Sequence, residues 1–151
     1  MTGLARMVGT FFYIGYMPLA PGTWGSLALV LLLYVFPLND LYWQMVILIS
    51  LILASVWSGN ILEKADHKED PRYIVIDEVA GMFLALFALP SDNFKVCLIA
   101  FILFRIFDIV KPFGINRLQD IHGGVGIVAD DLAAGLLAWI ITTILFTAGM
   151  I

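Results

Sequence analysis

The few charged side chains of this chain stand in clusters at the edges of long apolar runs. Acids and bases fall together at Asp77-Glu78, at Arg105, Asp108 and Lys111, and at Asp130-Asp131. Tyr42 to Ser58 and Leu132 to Ile151, by contrast, carry no charge at all. Runs of that length approach the roughly 20 apolar residues that cross a bilayer as a helix. A charge beside or inside such a helix is costly, so each cluster marks a functional site by default.

Only 13% of the 151 residues are charged and 62% are apolar, against about 25% charged in ordinary soluble domains. With a mean hydropathy of +0.98, the chain has too little polar surface to cover a core in water. It reads as an integral membrane protein with a single domain over residues 1–151. The first residues lack the basic, apolar and small-residue succession of a signal peptide, so none is expected. A net charge of −4 leaves no basic stripe for nucleic acid. Cys97 is the sole cysteine, which excludes an intrachain disulfide and a cysteine-rich zinc site.

Local signals predict an all-α, compact helical membrane bundle of about five transmembrane or partly inserted helices. Two prolines and two glycines in Met17 to Ser26 forbid a continuous helix there, and Thr23 or Ser26 would cap a helix over Leu27 to Phe36. Further helices are expected over Tyr42 to Ser58, Asp77 to Leu89, Phe94 to Lys111 and Leu132 to Ile151. Glu63 to Arg72 and the glycine-rich Phe113 to Ala129 read as loops. If all five helices cross, the Pro21–Ser26, Glu63–Glu78 and Lys111–Asp130 joints share one side. Arg6, Lys64, Lys68, Arg72, Lys111 and Arg117 lie there too, which makes that side cytoplasmic by the positive-inside rule.

Each cluster has a plain structural explanation and a chemical one. Spacings of three place Arg105, Asp108 and Lys111 on one helical strip, either as an ion pair with a snorkelling lysine or as an acid between two phosphate-binding cations. Asp77-Glu78 and Asp130-Asp131 suit helix N-termini, with Asp130 a good cap. Beside Asp108, however, the two pairs together point to hard-oxygen ligation of Mg²⁺, or of Mn²⁺. Pro21-Gly22-Thr23-Trp24-Gly25-Ser26 and His122-Gly123-Gly124-Val125-Gly126 are either loops and packing sites or backbone cradles for phosphate. Neither matches a nucleotide-binding fingerprint.

Taken in order, these blocks resemble the phosphatidylglycerophosphatase A family of bacterial membrane lipid phosphatases. The resemblance rests on Pro21 to Ser26, Asp77-Glu78-Val79-Ala80-Gly81, Phe104 to Pro112, and His122 to Ile127 leading into Asp130-Asp131. It implies an all-helical enzyme of the bacterial inner membrane that removes the terminal phosphate of phosphatidylglycerophosphate with Mg²⁺. On that footing Asp77, Glu78, Asp108, Asp130 and Asp131 would hold metal and activate water. Arg105 and Lys111 would bind the phosphoryl oxygens, and Thr23, Ser26, Gly123 and Gly124 would orient the phosphate. Attack by Asp130 or Asp131 through an aspartyl-phosphate is the mechanistic alternative. The alternative from another class is a small transporter or channel, which would need polar groups distributed through the depth of the bundle.

Overall fold

The computed structural model of the protein describes residues 2–68, 71–112, 114–115, 118 and 123–151. Among them there are six α-helices and no strand: α1 Thr2–Gly9, α2 Pro21–Val35, α3 Leu41–Asp66, α4 Ile76–Ala85, α5 Phe94–Val110 and α6 Gly124–Thr147. The all-helical expectation holds. The count exceeds five because the short α1 carries no sequence signal of its own.

Local chemistry explains most of the helix ends. Pro21 opens α2 at a position whose missing N–H is one the first turn leaves unbonded anyway. The helix therefore starts at Pro21 and not after Ser26, as the proline and glycine content predicts. Asp40 caps α3 by accepting from Trp43 N at 3.2 Å, and Asn93 caps α5 by accepting from Lys95 N at 3.0 Å. Lys111 ends α5 in a left-handed conformation, φ 47°, because the residue before Pro112 disfavours the helical region.

Three other boundaries differ from expectation. α3 runs on past Ser58 to Asp66, taking in part of the charged stretch. α4 stops at Ala85, short of Leu89. α6 begins at Gly124, so Asp130 and Asp131 lie in its second turn and cap nothing. The start of α6 is thus about 10 Å above the acids at 1.5 Å per residue, and the cluster is recessed below the end of the bundle.

α4 is the centre of the molecule. Eight of its ten residues are buried, enclosed by α2, α3, α5 and α6, as expected of a helix that is apolar on every side beyond its first-turn acids Asp77 and Glu78. At ten residues it is about 15 Å long, roughly half the hydrocarbon thickness. Its far end therefore needs polar partners inside the bundle. Gln44 of α3 supplies one, accepting from Ala88 N at 2.7 Å, and Trp139 of α6 donates to Phe87 O at 2.7 Å.

The exterior is apolar. Met45, Ile49, Leu53 and Trp57 form an exposed stripe along α3, and Leu136, Ile140 and Ile144 another along α6. These two helices, of 26 and 24 residues, are long and apolar enough to cross a membrane. Stripes of this extent are not tolerated on monomers in water and suit a membrane protein.

Candidate functional site

Two glycines bring the acids together. On α4 Gly81 follows Asp77 by one helical turn, and on α6 Gly135 follows Asp131 by the same interval. A Cβ on Gly135 would lie 2.2 Å from Gly81 O, and one on Gly81 would lie 2.6 Å from Asp131 O. Only hydrogen side chains allow this backbone contact. One turn away, Asp77, Glu78 and Asp131 offer carboxylate oxygens that all lie within 4.8 Å of one another.

α2 closes the cluster from a third side. Its Gly22 lies so near Glu78 that a Cβ would come within 1.8 Å of Oε1. Glu78 follows Asp77 in the first turn of α4, and its Oε2 is buried with no hydrogen-bond partner among the described residues.

α5 and the start of the following loop bring the cations. Arg105 Nη1 lies 2.9 Å from Asp108 Oδ2, both side chains being largely buried. Lys111 does not continue that strip: it reaches across to α6 and pairs with Asp130 Oδ2. Burial pulls the Lys111 ammonium down, but its hydrogen bond to Asp130 and the nearby acids outweigh this and hold its pKa above the ordinary lysine value. Asp108 and Asp131 line the same cavity, which joins the ion pairs to the three-carboxylate group.

All five acids and both cations line one cavity of about 290 Å³, together with Arg72, Leu19, Pro21 and Gly22. Five carboxylates face three cations there, and Asp77, Asp130 and Asp131 are at most 5% exposed. Uncompensated buried charge of this kind requires a bound cation or protons. The donor set is all oxygen, which suits Mg²⁺ or Mn²⁺. Oxygens bound to one Mg²⁺ at about 2.1 Å are at most about 4.2 Å apart, so small side-chain rotations bring Asp77, Glu78 and Asp131 to that arrangement. The orphaned Glu78 Oε2 supplies a free ligand atom.

The glycine-rich candidates are placed elsewhere. Ser26 Oγ donates to Gly22 O at 2.8 Å and is fully buried, and neither Thr23 nor Ser26 lines the cavity. Gly124 N donates to Asn60 Oδ1 at 2.9 Å, and a Cβ on Gly124 would meet Val56 O at 2.2 Å. Gly123 and Gly124 thus serve the crossing of α6 over α3 and do not line the cavity. His122 and Arg117 lie outside the described residues. Gly22, read from the sequence as part of a phosphate cradle, instead packs against Glu78, and Gly81, Gly135 and Arg72 were missed as site-building residues. Their only signals are the repeated interval from acid to glycine and the position of Arg72 five residues before Asp77.

Comparison with known proteins identifies a family. The phosphatidylglycerophosphatase A family model matches residues 7–146. A protein of Bacteroides thetaiotaomicron named putative phosphatidylinositol-3-phosphatase is 37% identical over 148 residues, covering 93% of this chain and 92% of its own. The phosphatidylglycerophosphatase A of Escherichia coli K12 is 35% identical, over 88% of this chain and 78% of its own. That of Haemophilus influenzae is 37% identical, over 90% and 85%. No solved structure matches the chain. With the family's span covering nearly all of it, the chain belongs to the phosphatidylglycerophosphatase A family.

Proposed function

We propose that the protein hydrolyses the terminal phosphomonoester of phosphatidylglycerophosphate, releasing phosphatidylglycerol and phosphate, in a reaction that depends on Mg²⁺ or Mn²⁺. The observation that carries this reading is the single recessed cavity in which five carboxylates meet Arg105 and Lys111. Its family membership supplies the substrate class. The names of its relatives describe two lipids that share one design, a phosphomonoester on a headgroup already joined to the lipid by a phosphodiester.

In this reading Asp77, Glu78 and Asp131 hold the metal, with Asp108 and Asp130 beside them. When bound, the ion supplies Lewis-acid chemistry toward phosphoryl oxygens and lowers the pKa of water. Arg105 offers its buried Nε, which has no partner among the described residues, to an equatorial phosphoryl oxygen. Asp108 and Asp130 each pair with one of the two cations and hold it in the cavity. Beneath the acids Val79, Met82, Phe83 and Phe104 fill the interior. The five acids and the cations gather in this one cavity, whereas a transporter needs polar groups distributed through the depth of the bundle.

Helices α2, α4 and α6 begin at the end of the bundle that holds the cavity, and α3 and α5 finish there. Arg6, Lys64, Lys68 and Arg72 belong to the same end, which supports an inner-membrane protein with its site open to the cytoplasm. The test of the whole reading is phosphate release from phosphatidylglycerophosphate in detergent, with and without chelator, for wild type and Asp108→Asn. Loss in both cases is expected. Activity surviving either change removes the mechanism.

A further inference from the structure

Arg72 stands apart from the other cations of the cavity. Arg105 and Lys111 are mostly buried and each faces an acid, whereas Arg72 is exposed and lines the same cavity at its mouth. It has no ion pair among the described residues. Asp66, six residues before it, is engaged elsewhere, accepting from Arg6 Nη2 at 2.8 Å and from the Tyr73 hydroxyl.

The backbone that carries Arg72 is held on both sides. Pro71 and Ile74 are buried, and Ile74 N donates to Pro71 O at 2.9 Å, closing a turn with Arg72 at its tip. The turn is locked against the N-terminal segment, where Gly15 fits so closely that a Cβ would lie 1.9 Å from Tyr73 O. Val75 N also donates to Gly9 O at 2.8 Å. Leu19 lines the same cavity, wholly exposed and in the left-handed region at φ 76°. That conformation is strained for a residue with a branched side chain.

A cation carried on a held turn and a wholly exposed apolar side chain therefore line the cavity proposed to take a phosphomonoester. We propose that Arg72 binds the phosphodiester of the lipid headgroup while Leu19 meets the glycerol that carries the acyl chains. The inference rests on the terminal phosphate lying at the acids. A three-carbon glycerol then separates it from the diester, which falls at the mouth, where the lipid turns from polar to apolar. The planar guanidinium suits the two free oxygens of a diester. Arg72 is on this account a specificity residue that acts on binding and not on the reacting phosphorus.

The test is steady-state hydrolysis of phosphatidylglycerophosphate in a neutral detergent by wild type, Arg72→Gln and Arg72→Lys, with inorganic phosphate as a competing inhibitor. Arg72→Gln is expected to raise KM about tenfold, the loss of one charge-assisted hydrogen bond, with kcat within about twofold. The inhibition constant of inorganic phosphate stays where it is, and Arg72→Lys falls between the two. An unchanged KM overturns the proposal. So does a fall in kcat together with weaker inhibition by phosphate, which would place Arg72 on the reacting group. A wild type inactive on this lipid would instead overturn the proposed function and leave the assignment of Arg72 to be read from phosphatidylinositol 3-phosphate as substrate.

Discussion

Gly81 of α4 and Gly135 of α6 stand backbone to backbone, each one helical turn beyond an acid of the candidate site. The contact sets the distance between Asp77 and Asp131, so packing and chemistry are governed by the same pair. Replacing Gly135 with alanine places a methyl group 2.2 Å from a carbonyl oxygen. Helix propensity would favour that change by about 1 kcal/mol, whereas overpacking costs about 1–3 kcal/mol. Gly135→Ala is therefore expected to lower thermal stability in detergent and to reduce phosphate release by well over tenfold. A more stable, fully active variant would show that α4 and α6 can separate without harm.

Gly22 gives a contrasting case. Its added methyl would strike the far end of the Glu78 side chain, 1.8 Å from Oε1, and a flexible carboxylate can swing away. Gly22→Ala should unfold at nearly the wild-type temperature while losing activity and requiring more Mg²⁺ for half-maximal rate. Equal loss of stability and activity would mean that α2 itself is displaced.

The acids and cations of the site were legible because charge is rare and costly in such a chain, and helical spacing linked Arg105 to Asp108. What was hidden depends on partners distant in sequence. The start of α6 reads locally as a glycine loop, and only Val56 and Asn60 of α3 explain why those glycines are helical. The end of α4 is set by Gln44 and Trp139, 44 and 52 residues away from the groups they bond. Lys111 leaves the strip it was expected to share because Asp130, in the second turn of α6, is its partner.

The three clustered carboxylates should trade stability against activity. Without metal, Asp77, Glu78 and Asp131 oppose one another at close range, so neutralising one relieves repulsion. Asp131→Asn is expected to abolish detectable hydrolysis and to raise the unfolding temperature of the metal-free protein. Mg²⁺ should stabilise wild type by mass action and have little effect on the variant. A wild-type unfolding temperature indifferent to Mg²⁺, Mn²⁺ and chelator would speak against a metal at these residues.

Lys111 and Asp130 provide the last test, because removing one partner leaves the other buried. The Asp130 side chain is 3% exposed, and stranding a charge at such a place costs about 3–5 kcal/mol. Lys111→Met should therefore be strongly destabilised as well as inactive. Adding Asp130→Asn should restore much of the stability and none of the activity, since the phosphate would still lack its cation. The pair also has a pH signature. With the folded pKa of Lys111 above its unfolded value, its contribution is complete below the ordinary lysine pKa and fades as pH rises through the folded value. Wild type and the double variant should accordingly differ in stability by a constant amount near neutrality and converge only in strong alkali. Convergence near pH 7 would mean that Lys111 is not held charged by Asp130.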